Sequence, residues 1–280
     1  MPVAFLAHRS LVLVEGTDAQ TLLQGIITTD VDSLATGEAR TGALLTPQGK
    51  ILFDFIIWRT ASGFALECDS AQREALLRRL TMYKLRAAVT LSPGDDGVTV
   101  TWGDHPDSAA GVADTAFAKA GIVLQRMPGG SGPDGRADYD VLRIQAGLVS
   151  SGADYALQDA FPHDILLDRD GGLSFRKGCY VGQEVVSRMQ HRGTARRRVV
   201  QVSAETELPA SGTELMAAGK PVGTLGTVAG ARGLAIVRID RVGDALARGV
   251  PVTANDVAVT LSLPAWTGLA FPVEAQEAET

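Results

Sequence analysis

The chain has 280 residues, of which 45% are hydrophobic and 21% are charged, and its formal net charge is −6. This amount of apolar material can bury more than one core, so the length predicts two or three lobes. The acidic balance argues against a general nucleic-acid role, because phosphate binding depends on a positive surface.

The N-terminal part of the chain alternates between strand-like and helix-like segments. A turn at Pro47-Gln48-Gly49 separates two apolar runs and predicts a hairpin whose tight corner needs Gly49. The predicted elements are, in chain order, strand 10–16, helix 17–26, strands 39–45, 51–58 and 64–68, helix 71–83 and strand 87–91. Together they predict an α+β lobe with an antiparallel sheet and helices on one face.

The later part of the chain is divided by composition. Residues 128–135 are almost all Gly, Pro, Ser and Asp, which predicts a linker loop. After Arg198, short β-branched runs at 199–202, 222–228, 234–239 and 257–263 alternate with turns, which predicts a C-terminal β-barrel. We therefore predict an α+β region of two interwoven lobes at 1–198, the barrel at 199–272 and a disordered tail at 273–280.

The cysteines and histidines limit the redox and metal chemistry. Two cysteines, Cys68 and Cys179, and no apparent signal peptide predict a reduced cytoplasmic protein without disulfides. No segment keeps together the roughly 18 apolar residues of a membrane span, so a soluble protein is expected. An iron–sulfur cluster held by one chain needs about four clustered cysteines, so this chain is not expected to hold a cluster alone. His8, His105 and His163 show no metal-ligand spacing, and we predict no metal site.

The most specific motif is Lys177-Gly178-Cys179-Tyr180-Val181-Gly182-Gln183-Glu184. Gly178 and Gly182 allow the backbone to pass close to another group, and a helix is predicted from Gln183 onward. Cys179 therefore precedes a helix start, where the helix dipole and Lys177 favour the thiolate, and it is the candidate reactive thiol. The competing interpretation is a structural cysteine buried in a tight loop, since free cysteines are commonly buried.

This motif closely resembles the signature of YgfZ-type folate-binding proteins, a branch of the aminomethyltransferase (glycine-cleavage T-protein) superfamily. Further stretches resemble the same family in the same order, namely 22–30, 45–54, 83–86, 143–147 and 161–162. The resemblance runs from near residue 10 to near residue 200, and the barrel fits by pattern only. It implies the three-lobed superfamily fold, with tetrahydrofolate or a one-carbon derivative as the cofactor in a central pocket.

Two positions of the implied folate pocket differ from the transferases. In the transferases a glutamate binds the pterin ring, and the matching residue here is Gln145. Its amide oxygen still accepts hydrogen bonds but carries no charge. Of two adjacent acidic residues in the transferases only Asp54 remains, because Phe53 replaces its neighbour. Losing a titratable group argues against transferase chemistry. Alternatively, Gln145 is a surface strand residue and Asp54 is a turn or edge residue.

The rest of the implied site combines aromatic, motif and basic residues. Tyr83 and Tyr180 are candidates for stacking on the pterin, although an aromatic residue at helical spacing is also typical of a core. Arg196 and Arg197 suit the anionic glutamate tail of folate, or alternatively form a solvated charged face. The cofactor-binding set implied by the resemblance is Asp54, Gln145, Tyr83, Lys177, Tyr180, Gln183, Glu184, Arg196 and Arg197.

The resemblance implies a tetrahydrofolate-binding accessory protein that works with iron–sulfur client or assembly proteins in making or repairing iron–sulfur enzymes. Two alternatives stay open: a tetrahydrofolate-dependent aminomethyltransferase or demethylase, and a scaffold that has lost folate binding. Phe53 and Gln145 favour the accessory role over an ordinary aminomethyltransferase. Neither nucleic acid nor a membrane is expected as a partner.

Overall fold

The computed structural model of the chain describes residues 2–103 and 111–272. Within these ranges the N-terminal strands are β1 (Val3–Glu15), β2 (Glu38–Leu45), β3 (Ile51–Arg59), β4 (Gly63–Asp69), β5 (Thr90–Trp102), β6 (Val112–Asp114) and β7 (Leu124–Pro128). They pair in the order β1-β4-β3-β2-β6-β7-β5, and the pairing of β5 with β1 closes a barrel. Short β6 runs parallel to β2, and the other pairings between these strands are antiparallel.

Six helices of the described residues pack on this barrel or follow it. They are α1 (Ala19–Ile26), α2 (Arg73–Lys84), α3 (Thr115–Lys119), α4 (Arg136–Ala146), α5 (Leu167–Asp170) and α6 (Gln183–Arg192). Buried Leu23 of α1 and Leu76 and Leu80 of α2 pack in one core with Phe53 and Phe55 of β3. Burial of these apolar side chains against the strands holds the two helices on the barrel.

A second closed barrel follows α6. Its strands are β8 (Arg197–Ser203), β9 (Glu214–Ala217), β10 (Lys220–Ala229), β11 (Arg232–Arg238), β12 (Val252–Ala254) and β13 (Val257–Ser262), paired in the order β10-β11-β8-β13-β12-β9. Helix α7 (Ile239–Ala247) packs on this barrel, and a short 3-10 turn lies at Ala265–Thr267. The predicted α+β fold with a C-terminal β-barrel is confirmed.

Strand β3 positions the candidate site through its alternation. Phe53 and Phe55 face the core beneath α1 and α2, whereas Ile56 and Trp58 join the core on the opposite side of the strand. Successive side chains of a strand point to opposite faces, so Asp54 lies on the same face as Ile56 and Trp58. That face borders the central cavity described below.

The antiparallel sheet predicted for this lobe closes into a barrel, which the sequence did not indicate. Strands β1 and β5 are each 13 residues long and pair with each other, with register shifts between Leu6 and Ser10 and between Ser10 and Val12. Bulges of this kind bend a strand and increase its twist, which lets the two edges of the sheet meet. The strand predicted at 87–91 begins only at Thr90 and continues to Trp102.

The other outcomes follow chain order. The hairpin is confirmed as β2 and β3, and the left-handed conformation of Gly49, with φ of +78°, explains why its corner needs glycine. The stretch predicted around Gln145 as a possible strand lies at the end of helix α4. Residues 129–135 contain neither a helix nor an extended strand. The proposed domain boundaries stay a prediction, and the tail at 273–280 lies outside the described residues.

Candidate functional site

A central cavity lies between one face of the N-terminal barrel, helix α4 and the segments 148–153 and 165–170. Its enclosed volume is about 80 Å³, and it opens to solvent. The polar and aromatic residues that line it include His8, Arg9, Thr41, Asp54, Phe55, Asp69, Asp114, Phe117, Arg126, Arg136, Tyr139, Asp140, Arg143, Ser150, Ser151 and Asp170.

Asp54, predicted from the sequence, lines this cavity and is held by Ser151. The backbone N–H of Ser151 donates to Asp54 Oδ2 at 3.1 Å, and the Ser151 hydroxyl bonds Oδ1. Gln72, which immediately precedes α2, donates to the same hydroxyl at 2.9 Å. Burial and the nearby Asp54 carboxylate raise the pKa of Tyr155 well above its usual value. The Asp54 carboxylate is therefore fixed in orientation and is already partly occupied by protein donors.

A buried ionic network forms one wall of the cavity. Arg126 donates to both carboxylate oxygens of Glu67, at 2.9 and 3.1 Å, and to Asp114 at 2.6 Å. Arg9 donates to Glu67 at 2.8 Å, and Arg126 also bonds the Tyr139 hydroxyl. Burial alone would raise the pKa of Glu67, but the guanidinium groups of Arg126 and Arg9 lower it. The sequence analysis did not identify this network. A charged residue within a mostly apolar strand, as at Glu67 and Arg126, is the signal that could have indicated it.

Arg143, and not Gln145, faces the cavity from helix α4. Arg143 donates to Asp140 and Asp154, both at 2.7 Å, and to Thr227 of β10 at 2.7 Å, so it ties α4 to the second barrel. Gln145 lies two residues further, roughly 200° around the helix, and is exposed. It borders a shallow groove beside Trp266 on the outside of the molecule. The structure therefore does not bring Gln145 to the cavity.

The motif loop presents one cysteine to solvent. Cys179 is exposed, whereas Cys68 is fully buried in β4, and burial raises the pKa of Cys68 to about 12. Lys177 is buried, and its Nζ donates to the backbone carbonyls of Ile27 and Thr29, each at 2.8 Å. Burial lowers the pKa of Lys177 to about 8. Contrary to the expectation that Lys177 supports a thiolate, its ammonium group is committed to these carbonyls.

Glycine and glutamine fix the start of the motif helix. Gly182 has φ of +80°, and a side chain there would meet the Thr46 carbonyl oxygen at 2.6 Å, so the loop packs closely on the β2–β3 turn. Gln183 Oε1 accepts from the backbone N–H of Tyr180 at 3.3 Å. The close approach expected at Gly178 is not observed, since nothing lies within 4 Å of its would-be side chain.

The remaining predicted residues lie elsewhere. Tyr180 is buried with Lys177 Nζ 5.2 Å from its ring centre, and Tyr83 packs half-buried against the core beneath α2. Glu184 is exposed and pairs with Arg188. Arg197 pairs with Asp159 and, beside Arg196, borders a groove near Lys50 and Phe161. Of the predicted set, Asp54 alone lines the central cavity, and the binding roles of the other residues stay predictions.

Two further features of residues 2–103 and 111–272 concern metal ions and membranes. No three or more His, Cys, Asp or Glu residues of these ranges are grouped so that they could hold a metal ion. His105 lies outside the described residues. None of the helices just described has the length and apolar character that crossing a membrane requires.

Comparison with known domains and structures supports the predicted kinship. A family model described as the GCVT N-terminal domain matches residues 6–102, and one described as the CAF17 C-terminal beta-barrel domain matches residues 196–269. The aminomethyltransferase T of the glycine cleavage system from Bartonella henselae superposes with a TM-score of 0.67. It is 18% identical, with 94% of this chain and 85% of that chain covered, and so shows the fold alone. The predicted resemblance to the aminomethyltransferase superfamily is confirmed.

Several relatives similar in sequence are described as iron–sulfur cluster assembly factors. Proteins described as "Iron-sulfur cluster assembly factor IBA57, mitochondrial" from Mus musculus and Homo sapiens are both 31% identical, covering 92% of this chain and 83% of theirs. The homolog from Pyricularia oryzae is 32% identical over 219 residues. The chain spans about half the length of that fungal relative and of the one from Chaetomium globosum, 55% in each case.

The prediction of a cytoplasmic protein is wrong by this comparison. The relatives from mouse, human and Pyricularia oryzae are all described as mitochondrial. A low cysteine count indicates a reducing environment, but it does not distinguish one reducing compartment from another.

Proposed function

The chain belongs to the family of IBA57 iron–sulfur cluster assembly factors, and we propose that it acts in iron–sulfur cluster assembly with tetrahydrofolate bound in its central cavity. Its partners in this proposal are iron–sulfur assembly or client proteins. The observation that carries the folate part is the central cavity itself, which lies against an aminomethyltransferase-like barrel.

The lining of the cavity supports a flat, polar ligand. Phe117 and Tyr139 have ring centres 5.7 Å apart and border the space together with apolar Ile165 and Leu167. Carboxylates and guanidinium groups alternate with these apolar surfaces. Aromatic and apolar surface beside placed polar groups is typical of small-molecule sites and suits the flat, polar ring of a folate.

Cys179 is the thiol that meets the iron–sulfur partner in this proposal. It is exposed on a loop that Lys177, Gly182 and Gln183 hold against the N-terminal barrel, whereas Cys68 is inaccessible. A rigid loop with an accessible sulfur reduces the ordering cost when a partner docks. The chain offers one accessible thiol among the residues described, so a cluster held there needs ligands from a partner.

Titration with tetrahydrofolate, followed by intrinsic fluorescence, tests the cavity. We expect saturable binding that Asp54→Asn weakens, because the variant loses the charge that Ser151 orients toward the cavity. Asp256→Asn, at an exposed aspartate of the second barrel, is the matched control and should bind like the wild type. No binding by the wild-type chain would refute the folate part and favour a scaffold without folate.

Rescue of iron–sulfur enzyme activities in cells lacking the protein tests the assembly role. Wild-type chain should restore them, Cys179→Ser should not, and Cys68→Ser is the control for loss of a thiol. A transferase role is measured separately, as methylene-tetrahydrofolate formed from an aminomethylated carrier protein. Product formation at an enzymatic rate would favour a transferase instead, which the loss of the acidic neighbour at Phe53 argues against.

A further inference from the structure

Asp170 at the end of helix α5 forms part of the cavity floor, and nothing in the proposed function uses it. Its side chain is buried, and Oδ1 accepts from the backbone N–H of Gly172 at 2.7 Å. A side chain at Gly172 would meet the Thr41 hydroxyl at 2.4 Å and Asp170 Oδ1 at 3.0 Å, so glycine is what lets these groups lie together. The Thr41 hydroxyl has no hydrogen-bond partner of its own within residues 2–103 and 111–272.

Asp170 differs from the other carboxylates that line the cavity. Asp54 is bound by Ser151, Asp114 by Arg126 and Asp140 by Arg143. Among the residues that the structure describes, Asp69 and Asp170 accept hydrogen bonds only from backbone N–H groups.

Of these last two carboxylates, only Asp170 is buried, whereas Asp69 is partly exposed. A buried carboxylate without a directly bonded cation is costly, because desolvation disfavours its charge. A ligand with N–H donors would remove that cost.

The charges around Asp170 are few. Burial raises the pKa of this carboxyl to about 7, against the lowering effects of the Gly172 N–H, the Thr41 hydroxyl and the Lys119 ammonium. Asp114 adds a further rise. Lys119 comes from α3, with its Nζ bonded to the Arg169 carbonyl, and Asp114 precedes α3. The charge of Asp170 therefore changes near neutral pH.

We propose that Asp170, with the Thr41 hydroxyl beside it, recognises the N–H edge of the pterin ring, namely the 2-amino group and the adjacent ring N–H. This assignment rests on the proposed folate site. It makes Asp170, which the sequence analysis did not identify, the residue that binds the pterin. It also accounts for the position of Gln145 outside the cavity. A carboxylate that receives two N–H groups forms charge-assisted bonds, which are stronger than bonds to a neutral amide.

Asp170→Asn is the first test, because the amide oxygen can still accept from Gly172 and so preserves the turn. Tetrahydrofolate should bind this variant about tenfold or more weakly than the wild type, as expected when a charge-assisted bond is lost. A folate analogue without the 2-amino group should lose affinity for the wild type, and Asp170→Asn should weaken that analogue less. Binding of p-aminobenzoylglutamate, which has no pterin, should be unchanged.

The pH dependence of the wild type supplies a second measurement that needs no variant. The ligand binds the ionised carboxylate, so affinity should fall as the pH drops below about 7, by about fourfold in total between pH 8.5 and 6.5. Asp170→Asn should lack this dependence. The range 6.5 to 8.5 is suitable, because burial and Arg9 lower the pKa of His8, the other titratable cavity residue near this range, below 6.5.

The outcomes separate this assignment from the folate site itself. If the wild type binds tetrahydrofolate and Asp170→Asn binds it equally well with the same pH profile, the role of Asp170 is overturned alone. An equal loss for p-aminobenzoylglutamate would overturn it as well, because that ligand lacks the recognised edge. Absence of tetrahydrofolate binding by the wild type would overturn both the folate site and the anchor.

Discussion

Glu67→Gln is the sharpest test of the buried network behind the cavity. Glu67 and Arg126 are fully buried, and their side chains, with those of Arg9 and Asp114, balance two negative charges against two positive ones. Glutamine keeps the size of the side chain and one acceptor oxygen but removes the negative charge. Two guanidinium groups then share a single buried carboxylate, that of Asp114.

The expected loss follows from that imbalance. Removing one partner of a buried ion pair lowers the free energy of unfolding by about 3–5 kcal/mol. We expect a loss of about 3 kcal/mol here, because the glutamine amide keeps one acceptor oxygen. At roughly 2–4 °C per kcal/mol for a chain of this size class, the unfolding temperature should fall by about 6–12 °C. Glu74→Gln removes an exposed carboxylate that pairs with Arg78 and is the matched control, with an expected change below about 1 kcal/mol.

The pH dependence of this difference has a defined sign. The pKa of Glu67 in the folded protein lies below its ordinary value of 4.5, so its charge stabilises the fold above that pH. In thermal or urea unfolding, the difference in free energy of unfolding between wild type and Glu67→Gln should stay constant from pH 8 to about 5. It should become smaller below pH 4.5. A loss no larger than that of Glu74→Gln, or a gap that widens in acid, would refute the reasoning.

Three further predictions concern the motif and α4. Cys179 should react with an alkylating agent faster than Cys68, as read by peptide mass spectrometry, because only Cys179 is exposed; preferential labelling of Cys68 would contradict the structure. Lys177→Met should destabilise the protein by about 1–3 kcal/mol in urea unfolding, since two buried carbonyls lose their donor, whereas an unchanged midpoint would mean that water replaces it. Gln145→Ala should leave the dissociation constant for tetrahydrofolate within about twofold, and a tenfold loss would return Gln145 to the site.

The sequence alone determined the elements whose signals are local. Gly49 marked the β2–β3 hairpin because its turn needs a positive φ, and the β-branched runs after Arg198 marked the second barrel by their period. The eight residues from Lys177 to Glu184 identified the superfamily. The same resemblance pointed to Asp54, which lines the cavity.

Tertiary structure decided what depends on distant residues. Helix α4 turns Arg143 toward the cavity and Gln145 away from it, which a short motif cannot specify without the phase of its helix. Closure of the N-terminal barrel brings Arg126 to Glu67, 59 residues earlier, and packing buries Asp170 beside Thr41. Burial and pairing set the charge states of these groups, and both arise only when the chain has folded, so no local pattern in the sequence contains them.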